Sequence, residues 1–252
     1  MWLNQQQITA PAIRTYRTAL LHSTPHYVVI DQLFDTSKLL EVSRVLQQAD
    51  GWQTQHHTYS ALYVDQAKWQ KTPQAQRFVQ RDVWQRAVPD ADNSIAKSST
   101  AHLSSAQHSP AAQPLANPAQ EFLQFLRGPE FMALLSRIFK VQITDLNVAK
   151  PEVNTNYFRL GARDFVNQHA DDSPGREVCM LLYLNEDWQS DQGGELVFSG
   201  KDDNPVHIAP FFNRCVLFDP SSAGSEHWVK ALSAETNTRH YRYNVTSWYW
   251  SE

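Results

Sequence analysis

Phe165-Val166-Asn167-Gln168-His169-Ala170-Asp171-Asp172 is the stretch on which the reading of this chain turns. Its apolar start reads as the end of a strand. Alternate residues of a strand project to the same face, so His169 and Asp171 offer an imidazole and a carboxylate side by side to one metal ion. Asp172 replaces Asp171 in that role only if the strand ends early. A His-x-Asp pair is weak on its own. With 10 His in 252 residues and the Asp content of this chain, roughly 0.6 such pairs arise by chance, so the pair needs further support.

Support comes downstream. His227, in Gly224-Ser225-Glu226-His227-Trp228-Val229, is the third candidate ligand, 56 positions past Asp171. Two histidines and one carboxylate on one side of an ion leave three octahedral positions open, which suits non-haem iron(II). Zinc with the same ligands and a water is the alternative on coordination chemistry alone. The segment Arg242-Tyr-Asn-Val-Thr246-Ser-Trp248 separates them. As a strand it places Arg242, Asn244, Thr246 and Trp248 on one face, and an inward arginine in an apolar strand is costly unless an anion pairs with it. A small dicarboxylate offers that bidentate partner.

The surrounding pattern is mainly β with flanking helices. Phe165-Val166, Val178–Leu184, Glu195–Phe198, Val206–Ile208, Cys215–Phe218 and Tyr243–Tyr249 are short apolar or alternating runs separated by Gly, Asp, Asn, Ser and Pro. Such spacing predicts a sandwich or jelly roll. Gly193-Gly194 reads as a turn before a strand. Upstream, a helix is expected around Gln5–Leu21 and a strand at Tyr27–Ile30. A second helix, capped by Thr36 or Ser37, carries Leu39, Val42 and Leu46. A third helix opens at Thr72-Pro73, with Phe78, Val79, Val83 and Trp84 on one side. A helical stretch over Ala119–Phe139 is interrupted by Gly128-Pro129. Between Val88 and Pro118 the chain is rich in Ala, Ser, Asn, Gln and Pro, and poor in large apolar residues. That reads as a mobile surface insertion, with a substrate-facing lid as the functional alternative.

Bulk properties narrow the class. The chain is 42% hydrophobic and 19% charged, with a net charge of −4. It is therefore read as a soluble globular protein, and no overall basic field favours nucleic acid. No run approaches the roughly 18 apolar residues of a membrane span, and Met1 to Ala10 lacks a basic, then apolar, leader. Cys179 and Cys215 sit in apolar strands and are expected as reduced, buried thiols, a lone disulfide being the alternative. These features give a cytoplasmic expectation; oligomeric state is not legible. His56, His57, His207 and His240 are read as exposed or satisfied side chains. Trp188, Trp228 and Trp250 are read as core or rim packing.

Taken in order, Gly161…Asp164-Phe165-Val166…His169-Ala-Asp171, Leu182-Tyr183-Leu184-Asn185-Glu186-Asp187-Trp188, Gly193-Gly194-Glu195-Leu196, Ile208-Ala-Pro210, Asn213…Val216-Leu217-Phe218, Ser225-Glu226-His227-Trp-Val229 and Arg242…Trp248 resemble the catalytic core of the prolyl-hydroxylase-like iron(II)/2-oxoglutarate oxygenases. Phe122-Leu-Gln-Phe-Leu and Phe131-Met-Ala-Leu-Leu are similar to the lead-in of bacterial and fungal members. The resemblance implies a double-stranded β-helix (jelly-roll, cupin-like) core over 151–252, with 1–150 as a helical and strand support region of the same integrated domain, its insertion near 88–118. It implies iron(II) on His169, Asp171 and His227, and 2-oxoglutarate on Arg242. Tyr183 is implied as a second contact, with Thr246 and Trp248 along the same pocket. Dioxygen is the co-substrate and ascorbate an accessory reductant. The separation of 15 positions between His227 and Arg242 is longer than in close relatives. Arg239 lies between them, and strand parity puts it on the opposite face from Arg242. Tyr157, Phe158 and Arg159 compete for the place of a tyrosine common on the preceding strand. The implied function is hydroxylation of a C–H bond, foremost of a prolyl residue in a protein or peptide. A free amino acid or other small molecule is the alternative substrate, and a non-catalytic binding module on the same fold is the reading from a different class.

Overall fold

The computed structural model describes residues 1–48, 50–85, 117–148, 150–202, 204–233 and 240–251. Most of the 88–118 insertion, and Arg239, lie outside them. In chain order the elements are α1 (Ala10–His22), β1 (Tyr27–Asp31), α2 (Thr36–Gln48), β2 (Trp52–Thr58), α3 (Gln66–Lys71), β3 (Arg77–Trp84), α4 (Pro118–Leu126), α5 (Pro129–Phe139), β4 (Ile143–Thr144), β5 (Thr155–Leu160), β6 (Phe165–Val166), β7 (Arg176–Tyr183), β8 (Leu196–Lys201), β9 (Asn204–Ile208), β10 (Arg214–Phe218), β11 (His227–Val229) and β12 (Arg242–Ser251). Among the described residues, no helix is long and apolar enough to cross a membrane.

Two sheets face each other. The larger runs β1-β10-β7-β12-β5-β3-β2, with β4 on β12 and β6 on β3; the smaller is β11-β8-β9. All the pairings among these strands are antiparallel. Alternation sorts the side chains of the large sheet into two cores. Val178, Met180 and Leu182 of β7, with Cys215 and Leu217 of β10 and Val245 and Tyr249 of β12, pack outward against Leu39, Phe122, Phe131 and Leu135 of the helices. Cys179, Leu181, Tyr183, Val216 and Phe218 point the other way and meet Leu196, Phe198 and Ile208 of the small sheet. Cys179 and Cys215 are buried free thiols in different clusters.

The helices start where local chemistry directs them. Thr9 accepts the Ala12 N–H at the head of α1, so this helix begins at Ala10 rather than near Gln5, with Pro11 in its first turn. Asp35, rather than Thr36 or Ser37, accepts the Lys38 N–H at the head of α2. Gly128-Pro129 splits the next helical stretch into α4 and α5.

One expectation is overturned. The segment after Thr72-Pro73 is not a helix; a single 3₁₀ turn at Gln74–Gln76 leads into β3. The polar residues Gln80, Arg81 and Asp82 look like a solvated helix face, but each has a place in the sheet. Gln80 donates to Asp164, Asp82 pairs with Arg159 at 2.9 Å, and Arg81 lies over the Phe158 ring. Cross-strand partners outweigh local pattern here. The polar edge strand β2 carries no alternation signal and was not legible as a strand.

Candidate metal and co-substrate site

The site is assembled where the two sheets meet. His169 and His227 exchange both backbone hydrogen bonds, His169 N–H to the His227 carbonyl at 3.0 Å and the reverse at 2.9 Å. This bridge sets the two rings with centroids 4.2 Å apart. Each Nδ1 faces a main-chain carbonyl two residues back, that of Asn167 at 2.9 Å and of Ser225 at 3.0 Å. A carbonyl only accepts, so Nδ1 carries the proton and Nε2 presents its lone pair. Burial, and then the neighbouring His227, lower the His169 pKa to about 4, so this ring is neutral at physiological pH.

Asp171 completes the cluster. Its Oδ1 lies 3.7 Å from His169 Nε2 and its Oδ2 3.8 Å from His227 Nε2. The ligand atoms of the three residues all fall within 4.8 Å of one another. Burial raises the Asp171 pKa, but the two histidines and the Trp248 N–H together outweigh it and hold the carboxyl below its ordinary value. Trp248 Nε1 donates to Oδ2 at 2.8 Å, and Arg176 donates to the Asp171 main-chain carbonyl. Asp172 instead lines a separate surface depression with Ala170 and Glu226. Two imidazole nitrogens of fixed tautomer and one oriented carboxylate are a donor set that fits a divalent metal.

A cavity of about 260 Å³ opens from this cluster, near the lower end for small-ligand sites. On its β12 wall stand Arg242, Asn244, Thr246 and Trp248. Arg242 is 1% exposed. Its Nε donates to the Gly194 carbonyl at 2.7 Å and its Nη1 to Asn244 Oδ1 at 2.8 Å; Asn244 in turn donates to Thr246 Oγ1 at 2.9 Å. Nη2 is buried with no hydrogen bond among the described residues, and so is Tyr183 Oη, whose ring lies 4.8 Å from the guanidinium. Burial pushes the Tyr183 pKa up to about 12, so the phenol keeps its proton. Two unpartnered buried donors are costly unless an anion meets them, which is how these residues fit a dicarboxylate. Gly194 makes room for the arrangement: its φ is +75°, and a Cβ there comes within 2.8 Å of Trp188 and 3.1 Å of Arg242. Trp188 is buried and donates to the Gly193 carbonyl.

The competition on β5 is resolved by alternation. Tyr157 donates to the Ala119 carbonyl on the helical side, Arg159 lies between Trp52 and Tyr241, and Phe158 is on the cavity side beneath Arg81. His57 was read as exposed or satisfied, yet it lines the cavity; burial lowers its pKa to about 4. Sequence reasoning missed Arg81 and Arg176 in the cavity wall. Arg81 carries the signal that singled out Arg242, an inward arginine between apolar residues at i ± 2, hidden because the segment was read as helix.

Residues 155–250 match the 2OG-Fe(II) oxygenase superfamily. The prolyl 3-hydroxylase OGFOD1 of Mus musculus is 25% identical over 134 residues, which is 51% of this chain but only 23% of that protein. Among solved structures, a prolyl hydroxylase from Trichoplax adhaerens, in complex with a hypoxia inducible factor oxygen degradation domain peptide fragment, superposes with a TM-score of 0.61 at 18% identity, covering 98% of this chain and 91% of that one. A Pseudomonas putida prolyl-4-hydroxylase gives 0.56 at 14% identity, covering 96% and 100%. The fold is the double-stranded β-helix of these oxygenases. Over residues 155–250 the chain is similar to the 2OG-Fe(II) oxygenase superfamily, and its fold is similar to that of solved prolyl hydroxylases.

Proposed function

We propose that this protein is an iron(II)- and 2-oxoglutarate-dependent hydroxylase of a prolyl residue in a protein or peptide. The observation that carries the co-factor part is the pair of unpartnered buried donors, Arg242 Nη2 and Tyr183 Oη, in a cavity that also holds the His169–Asp171–His227 cluster. A site for a simple hydrolytic metal has no use for a buried cation without an anion; a co-substrate with a distal carboxylate has.

In this reading His169, Asp171 and His227 hold the iron, and Arg242 with Tyr183 holds the carboxylate of 2-oxoglutarate remote from it. Bound iron and 2-oxoglutarate supply, with dioxygen, the oxidising power to place oxygen on a C–H bond, releasing succinate and carbon dioxide. The chain's own part is orientation and exclusion of water. Trp248 and the two main-chain carbonyls fix the three ligands, so little reorganisation accompanies metal binding. Val166, Leu181, Leu196 and Val229 line the cavity with apolar surface. The Asn244–Thr246 relay holds Arg242 in place.

The prolyl substrate is supported by the relationship to mouse prolyl 3-hydroxylase. It is also supported by an exposed apolar rim at the cavity mouth. Leu62 lines the cavity and is 81% exposed, flanked by the exposed Tyr59 and Tyr63, and Tyr59 stacks on Phe78, another cavity residue. Such a rim suits an extended segment of a larger molecule. The test is succinate formation from 2-oxoglutarate, with iron(II) and ascorbate, across proline-containing proteins, peptides and free amino acids, coupled to mass spectrometry for an added oxygen. Oxygen on a prolyl residue supports the proposal. Efficient hydroxylation of a free amino acid with none on any peptide or protein makes the small-molecule reading correct. Iron and 2-oxoglutarate binding without any turnover favours a binding module.

A further inference from the structure

Among the described residues the cavity is lined by three guanidinium groups, Arg81, Arg176 and Arg242, and two have partners. Arg176 donates to the Asp171 carbonyl and lies 3.9 Å from its carboxylate. Arg242 is held by Gly194 and Asn244, and its free Nη2 is assigned above to 2-oxoglutarate. Arg81 makes no hydrogen bond and no ion pair among the described residues through its side chain, and its Nε is buried. Its guanidinium carbon lies 3.5 Å from the centroid of the Phe158 ring, which occupies one flat face. What remains for a ligand is the edge of the plane, where the N–H groups point and where a carboxylate binds in a bidentate manner.

The position of Arg81 follows from the sheet. Arg242 pairs with Leu160, and Asn244 and Val83 both pair with Phe158. These residues therefore share a face, and Arg81, two residues before Val83, shares it as well. That is the concave face on which the metal cluster and Arg242 lie. Burial lowers the Arg81 pKa to about 10, with Asp171 opposing that shift and Arg242 adding to it. The side chain is therefore charged at neutral pH and within electrostatic reach of both. Arg81 is half-buried with its Nε enclosed, and among the described residues no carboxylate pairs with it directly, Asp171 acting on it only at longer range.

We propose that Arg81 is a specificity-determining residue that receives a carboxylate of the molecule to be oxidised. This rests on the oxygenase reading above, in which Arg242 is committed to 2-oxoglutarate. The carboxylate is an acidic side chain or chain terminus next to the target residue in a peptide, or the carboxylate of a free amino acid; the site chemistry is the same.

The test uses the full chain loaded with manganese(II) and 2-oxoglutarate, which binds without turning over. Three acid–amide pairs are titrated by intrinsic tryptophan fluorescence: L-proline and L-prolinamide; acetyl-Ala-Pro-OH and its amide; and capped Ala-Pro-Glu-Ala with capped Ala-Pro-Gln-Ala. In the wild type the acid member of at least one pair binds about tenfold more tightly, the low end for a charge-assisted pair. The pair that discriminates identifies the source of the carboxylate. In Arg81→Gln the preference falls below about twofold while manganese and 2-oxoglutarate affinities stay at wild-type values; Arg81→Lys, which keeps charge but not the planar fork, is intermediate. The proposal is overturned if acid and amide bind alike in every pair, if no member binds, or if the preference survives in Arg81→Gln. It is also overturned if Arg81→Gln loses 2-oxoglutarate affinity, since Arg81 then serves the co-substrate. A wild type that binds neither manganese nor 2-oxoglutarate refutes the oxygenase reading itself.

Discussion

Replacing Arg242 by Gln tests the co-substrate assignment most directly. Two of the three guanidinium nitrogens are already used within the protein, Nε on Gly194 and Nη1 on Asn244, which leaves Nη2 for an incoming carboxylate. Losing that charge-assisted bond costs about 1.5–3 kcal/mol, so the 2-oxoglutarate Kd should rise about 10- to 150-fold. Tyr183→Phe removes one hydrogen bond to the same carboxylate but keeps the cation, so its effect should be about tenfold or less. Thermal unfolding with manganese(II) present reads the same quantity. At 100 times its Kd, 2-oxoglutarate stabilises the wild type by about 2.7 kcal/mol; at that concentration Arg242→Gln should gain only about 0.3–1.4 kcal/mol. For a chain of this size these gains are about 5–10 °C and about 1–5 °C in Tm. The variant without co-substrate should be no less stable than wild type, because it no longer buries an unpaired charge. A Kd for Arg242→Gln within about twofold of wild type refutes the reasoning.

Three further outcomes are expected. The protein should bind one iron(II) per chain, and Ala at His169, Asp171 or His227 should each abolish turnover; equal iron binding by the triple Ala variant, measured by metal analysis after gel filtration, places the metal elsewhere. Trp248→Phe removes the 2.8 Å bond to Asp171 Oδ2, and metal affinity by manganese titration should fall about 10- to 100-fold; an unchanged affinity means that Asp171 is oriented without it. Gly194→Ala combines a φ of +75° with a Cβ 2.8 Å from Trp188, so it should destabilise by about 1–3 kcal/mol in denaturant unfolding and weaken 2-oxoglutarate binding by displacing Arg242. A wild-type unfolding midpoint in that variant means that the turn relaxes freely.

The sequence by itself determined the strand face of β12 and the metal-ligand candidates. Both depend on local rules: period-two alternation places Arg242, Asn244, Thr246 and Trp248 together, and the chemistry of His169, Asp171 and His227 is carried by residue type. It also determined most of the strands after Asp164, because each has an apolar run bounded by turn residues. Tertiary structure decided what those rules cannot reach. The backbone bridge between His169 and His227 spans 58 positions, and no local pattern encodes it. β3 resembles a helix in sequence because Gln80 and Asp82 are satisfied by Asp164 and Arg159 rather than by water, and the inward Arg81 interrupts the apolar face. His57 and Arg81 became cavity residues for the same reason: their environment is made by strands distant in sequence. Trp248 reads in sequence as one more residue on the wall, and only packing turns its N–H onto Asp171. Side chains whose role depends on who stands opposite are settled by the sheet register, which the whole fold sets.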